Sequence, residues 1–180
     1  MREGIKLALT LMIICAVAGI SLSFVNNLTH DRIVEQQEEG LARSLKVALP
    51  AAKYEKVGLL SLKEDPQFES VEAIWRAGEP SGLVVQVAPV GYNGNIICLV
   101  GLDSNGTIRG VAVNQHTETP GLGARVVEDS FLQQFQGKGE RQAVVKDGGQ
   151  IQAISGATIS SRALTAGVNT ALAVFEEVWR

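Results

Sequence analysis

"NIICLVGLDSNGTIRGVAVNQ", residues 95–115, reads as two apolar runs joined by Asp103-Ser104-Asn105-Gly106. Asn-Gly between two such runs is the strongest short-range hairpin signal, because both residues accept the backbone angles of a tight turn. The stretch therefore predicts two antiparallel strands. Upstream, "GLVVQVAPVGY" (82–92) is also strand-like, and Pro89 places its end near an edge or a bulge. Downstream, "SFLQQFQG" (130–137) predicts a short helix with Asp129 or Ser130 as cap and Gly137 as stop. "QAVVK" (142–146) and "IQAI" (151–154) read as two more short strands. A last helix is predicted from about Ser160 to Trp179, where Leu164, Val168, Leu172, Phe175 and Trp179 recur at helical spacing and make one buried face. Strands and helices do not alternate strictly. The expected class is α+β, a small antiparallel sheet packed with helices.

The chain has 180 residues, which suits one compact domain plus an appendage, or two very small domains. The appendage is legible at the start. From Leu7 to Val25 the sequence carries no charge, and at about 1.5 Å per helical residue it nearly matches a hydrocarbon core of about 30 Å. One N-terminal transmembrane helix is expected to precede the sheet. Ala16-Val17-Ala18 resembles a signal-peptide cleavage site, but the apolar run continues beyond it, so an anchor is the preferred reading. Arg2 and Lys6 precede the run, and positive residues favour the cytoplasmic side. The body is therefore expected outside the cytoplasm. After the run, "THDRIVEQQEEGLARSLKVALP" mixes charges with apolar residues at partly helical spacing and ends at Pro50. Fifteen of the nineteen glycines lie from Gly78 onward, which marks where turns begin. The expected division is an anchor over 1–28, a juxtamembrane helical segment and linker over 29–76, and a folded domain over 77–180.

The formal net charge is −3, so no basic field exists to attract nucleic acid. Cys15 and Cys98 lie in separate apolar contexts without a CxxC partner. They read as packing residues, neither disulfide-bonded nor redox-active.

Two segments carry chemistry. Ser155-Gly156-Ala157-Thr158 follows strand-like "IQAI" and precedes the final helix. A strand-to-helix turn presents backbone N–H groups and the positive end of the helix dipole, both of which favour an anion. Gly156 and Ala157 would let a phosphate approach the main chain. No Walker pattern is present, and a helix cap is the ordinary use of such hydroxyls. A nucleophilic Thr158 or Ser155 would need a base. His30 lies beside the apolar run, and no GxSxG elbow accompanies His116. The second segment, "HTETPGLGAR" (116–125), follows a strand. Its glycines would let backbone lie against a flat ring, and Glu118 and Thr119 could hydrogen-bond polar ring edges.

Taken in order, the anchor, "GYNGNI" (91–96), "HTETPGLGAR" and "SGATISSRA" (155–163) resemble the G subunit of Rnf-type electron transport complexes, a relative of the C subunit of sodium-pumping NADH:quinone reductases. The resemblance covers nearly the whole chain. It implies FMN carried through a phosphoester bond on the last hydroxyl residue of the S/T-G-A-T/S motif, here Thr158, attached by a separate flavin transferase. It places Ser155, Gly156 and Ala157 at the phosphate. Glu118, Thr119, Gly121, Leu122 and Gly123 fall near the isoalloxazine, and Tyr92 also approaches it. It implies a fixed redox relay without independent turnover, working with the other subunits of a membrane complex that passes electrons between ferredoxin and NAD. The flavin domain would lie on the extracytoplasmic side of the cytoplasmic membrane. One position departs from the family: the acidic residue often found three places before the S/T-G pair is Gln152 here.

Overall fold

The computed structural model describes residues 2–58, 62 and 65–179. The chain divides into two compact units, Met1–Gly40 and Leu41–Arg180. The first is helical throughout its described residues and belongs to α1 (Arg2–Ala48). Among the described residues α1 is the one helix long and apolar enough to cross a membrane. Its side chains from Ile5 to Leu28 are exposed, the expected state of a surface meant for lipid or for other helices.

The second unit is built on a five-stranded antiparallel sheet: β1 (Tyr54–Val57), β2 (Val71–Ala77), β3 (Gly82–Val87), β4 (Ile96–Asp103) and β5 (Ile108–His116). Spatial order follows chain order, so every strand pairs with its sequence neighbour. The Asn-Gly hairpin forms between β4 and β5, pairing Val100 with Val111 and Cys98 with Val113. Its turn is fastened by Asp103, whose Oδ1 accepts the N–H groups of Asn105 at 2.9 Å and Thr107 at 3.1 Å.

Both faces of this sheet are covered, which is why β3 and β4 read as unbroken apolar runs rather than as alternation. On one face Leu83, Val85 and Val87 of β3 and Cys98, Val100 and Leu102 of β4 join Leu164, Val168, Ala171 and Leu172 of α3 (Thr158–Val178). Leu164 and Val168 are fully buried, a gain of about 1.5–3 kcal/mol each. On the other face Trp75, Val84 and Leu99 meet Leu45, Ala48 and Leu49 at the end of α1. Burial pushes the Cys98 thiol up to about 12, with the nearby Glu72 charge adding to the effect, so this cysteine is an inert packing group. Cys15 is exposed on α1.

Several local expectations are revised. β1 and all but the last residue of β2 fall in the segment 29–76, where a juxtamembrane helix and linker were expected. "QAVVK" and "IQAI" do not form strands. They meet in one parallel bridge, Val144 with Ile151, and a 3-10 turn, Val145–Asp147, takes up the last two residues of the first. "SFLQQFQG" is one turn of α2 (Asp129–Leu132) followed by a 3-10 turn, Gln133–Phe135. The final helix starts at Thr158, earlier than its apolar stripe suggests. Phe175 and Trp179, at its far end, are half-buried and stack at 5.4 Å, with Arg76 over the indole.

Candidate functional site

The end of β5 delivers the loop that begins Thr117-Glu118-Thr119, and the start of α3 delivers Thr158. The two meet in a cleft of about 560 Å³ lined by Tyr92, Glu118, Thr119, Leu122, Gly123, Lys146, Gly156, Ala157, Thr158, Ile159 and Ser160. Eight of the ten residues expected at the site therefore converge, although they lie in three segments up to 66 positions apart. Ser155 and Gly121 are exposed on the same turns and do not line the cleft.

What joins the segments is Glu118. It is 4% exposed, and both its oxygens are engaged. Oε1 accepts the backbone N–H of Tyr92 at 2.7 Å and of Asn93 at 3.2 Å, while Oε2 accepts the Ser160 hydroxyl at 2.6 Å. One carboxyl group thus ties the Gly91–Gly94 turn and the first turn of α3 to its own loop. A Cβ at Gly91 would run into Oε1, and one at Gly123 would run into Oε2. These two positions are glycine because a buried carboxyl occupies the space. The same turn is cross-linked once more: Asn93 Nδ2 donates to the Thr117 carbonyl at 2.8 Å, and Thr117 Oγ1 donates to the Asn93 carbonyl at 2.6 Å.

The start of α3 is shaped by Gly156, at φ +79°, in the left-handed region. Ala157 follows as the cap residue and makes no side-chain cap hydrogen bond, so the anion-favouring end of a 21-residue helix opens into the cleft without a protein carboxyl or hydroxyl capping it. Gly156→Ala is expected to cost about 1–2 kcal/mol from the left-handed backbone alone, seen as a lower denaturant midpoint of the purified chain at unchanged slope. An alanine variant as stable as the parent would show that this turn relaxes freely.

Thr158 is half-buried, and its Oγ1 accepts from Lys146 Nζ at 3.5 Å. Lys146 stands on the 3-10 turn, which is strapped to α3 by a two-pronged pair. Arg162 Nε donates to Asp147 Oδ2 at 2.7 Å and Nη2 to Oδ1 at 2.5 Å. Hydrogen bonding from Arg162, then the charges of Arg162 and Lys146, hold the Asp147 carboxyl below the usual carboxylate range. His116 does not line the cleft, and its buried Nδ1 has no hydrogen-bond partner among the described residues. The group at the Thr158 hydroxyl is an ammonium, not an imidazole.

One wall of the cleft is apolar and open. Tyr92, Leu122 and Ile159 are 68%, 48% and 52% exposed. Large apolar side chains left open around a concave site are normally covered by a ligand or partner.

Residues 91–173, which hold every group just described, match the FMN-binding domain family, and residues 2–47 match the RnfG N-terminal region. The G subunit of an ion-translocating oxidoreductase complex from Stutzerimonas stutzeri is 37% identical over 92% of this chain and 78% of its own length. The chain belongs to this G-subunit family. A further relative is the G subunit of a Na(+)-translocating ferredoxin:NAD(+) oxidoreductase complex from Acetobacterium woodii, 34% identical over 96% of this chain and 92% of its own. Among solved structures, Shewanella oneidensis NqrC shares the fold at TM-score 0.51 and 25% identity, over 59% of this chain and 58% of that one. The C subunit of the Na(+)-translocating NADH-quinone reductase of Parabacteroides distasonis does so at 0.50 and 24%, over 61% of each. This chain thus spans under two thirds of either solved protein, and with the second it shares the fold alone.

Lys146, Ile159 and Ser160 were not among the residues expected at the site. Ile159 and Ser160 follow Thr158 directly, and the first turn of a helix necessarily wraps its N-terminal opening, so the motif itself could have signalled them. Lys146 was hidden by the strand reading of "QAVVK".

Proposed function

We propose that this G-subunit family member is an electron-carrying subunit of a membrane-bound, ion-translocating oxidoreductase complex, and that its carrier is FMN held in the cleft. The observation that carries the proposal is the convergence, inside a matched FMN-binding domain, of the Thr158 hydroxyl at the start of α3, a lysine beside it and an open apolar wall. A cleft of this size accommodates a ligand of FMN's class. Thr158 is the attachment point of the phosphoester, made by a flavin transferase during maturation. Gly156 and Ala157 leave room for the phosphate, and Ser155 stands at its outer side. Leu122, Gly123, Thr119 and Tyr92 border the ring. When bound, FMN supplies a group that takes up and gives back one or two electrons. The protein fixes its place and leaves one edge reachable.

Residues 1–28 serve as the anchor, with Arg2 and Lys6 holding the N-terminus in the cytoplasm and the flavin domain lying on the other side. The relatives' names support an electron path between ferredoxin and NAD through neighbouring subunits, coupled to ion movement. Intact mass of the chain purified from a transferase-containing host tests the central claim. The expected gain equals FMN less one water. A chain of unmodified mass whose yellow colour leaves on denaturation would replace the covalent reading with a dissociable one.

A further inference from the structure

Within the proposed FMN site, on which this inference rests, Lys146 is the only positively charged residue among the described ones that line the cleft. The only acid there, Glu118, has both oxygens committed to Tyr92, Asn93 and Ser160. No other cation among the described residues lines the cleft to balance an anion there. The lysine's position is fixed by more than its own flexible side chain. The 3-10 turn that carries it is closed by Val145 N–H on the Ile151 carbonyl at 2.9 Å and Ile151 N–H on the Ala143 carbonyl at 3.1 Å. Asp147, its neighbour, is gripped by Arg162, one turn along α3 from Thr158. The strap therefore locks the lysine-bearing turn to the same helix whose first residue presents the hydroxyl. Lys146 itself makes no ion pair among the described residues, because Arg162 has taken the adjacent carboxyl. Its ammonium is left for a ligand.

We propose that Lys146 is the phosphate-recognising residue of the flavin site, and that the Asp147–Arg162 pair is the device that positions it. An ammonium contributes a charge-assisted hydrogen bond to a phosphate oxygen and adds to the favourable field at the start of α3. It makes the site selective for a flavin that bears a phosphate over one that does not. Arginine would keep the charge, although its planar fork does not reproduce a point charge.

The test separates phosphate recognition from general damage. The full chain, purified in detergent from a host without flavin transferase, is titrated with FMN and separately with riboflavin while flavin fluorescence is followed. Lys146→Ala is expected to weaken FMN about five- to tenfold and leave riboflavin within about twofold, while Lys146→Arg keeps FMN within about threefold. Lys146 is exposed, and unchanged riboflavin binding reports an intact fold. The proposal is overturned if Lys146→Ala weakens both flavins equally or neither, if the Arg variant is as weak as the Ala variant, or if the parent chain does not prefer FMN to riboflavin. Failure of the covalent reading would show elsewhere, as flavin retained on a Thr158 variant made with the transferase present, and would leave this titration unaffected.

Discussion

Thr158→Ala, produced in a host that contains the flavin transferase, is expected to give a folded chain with no flavin fluorescence in a denaturing gel, against a bright band for the parent. The loss should be complete rather than graded, because a phosphoester needs an oxygen and alanine has none. Ser155 does not line the cleft, and Ser160 and Ser161 are buried, so neighbouring hydroxyls are not expected to substitute. Ser160 is committed to Glu118, and Ser161 Oγ donates to the Ala157 carbonyl at 2.9 Å and accepts the Ile154 N–H at 3.0 Å. Thr158→Ser keeps the oxygen and should restore the band. Stability should hardly change, since among the described residues the Thr158 side chain makes one long hydrogen bond, at 3.5 Å, and alanine is the better helix former. A fluorescent band of parental intensity in the alanine variant would remove Thr158 from the site. A band lost together with the fold would show a structural role, which near-UV circular dichroism distinguishes.

The β4–β5 hairpin was legible because local chemistry decided it. Asp103 to Gly106 is a turn that forms from its own residues, and the flanking runs have no other way to bury themselves. β1 and β2 were hidden for a reason of packing. β2 reads "VEAIWRA", whose bulge between Val71 and Ala73 breaks the two-residue alternation, and β1 is a four-residue edge strand with two charged residues. Neither declares itself without the rest of the sheet beside it. The site was visible as three separate motifs, but not what unites them. A carboxylic residue next to two threonines in a loop suggests a ligand contact. Its burial against two backbone N–H groups and a helix hydroxyl is a tertiary fact, as is the reason for glycine at 91 and 123. Lys146-Asp147-Gly148-Gly149 carried a turn signal in its paired glycines, and reading the preceding apolar residues as a strand obscured it.

Glu118→Ala should therefore damage the site through its architecture, before any question of flavin contact arises. Removing the carboxyl leaves the buried Ser160 hydroxyl without its acceptor and releases the N–H groups of Tyr92 and Asn93, which belong to an exposed turn, from theirs. A buried donor left unpaired costs about 1–3 kcal/mol, and because the three share one acceptor group the total is not their sum. About 1–3 kcal/mol is expected, a fall of roughly 2–12 °C in melting temperature for a chain of this size. The Gly91–Gly94 turn keeps its internal Gly91–Gly94 hydrogen bond and its Asn93–Thr117 cross-links, but Tyr92 loses the acceptor that fixes its backbone on the cleft wall. Flavin loading should fall with it, in parallel with the melting temperature. Glu118→Gln sorts the causes. Its amide oxygen can still accept from Tyr92 and Asn93, and its amide nitrogen can donate to Ser160 if that hydroxyl turns its lone pair inward. The glutamine variant should recover most of the stability and most of the loading. If it folds like the parent yet loads no flavin, the carboxyl acts on the cofactor itself. If the alanine variant melts with the parent, the three hydrogen bonds do not hold the site together, and another explanation is needed for why residues 91 and 123 carry no side chain.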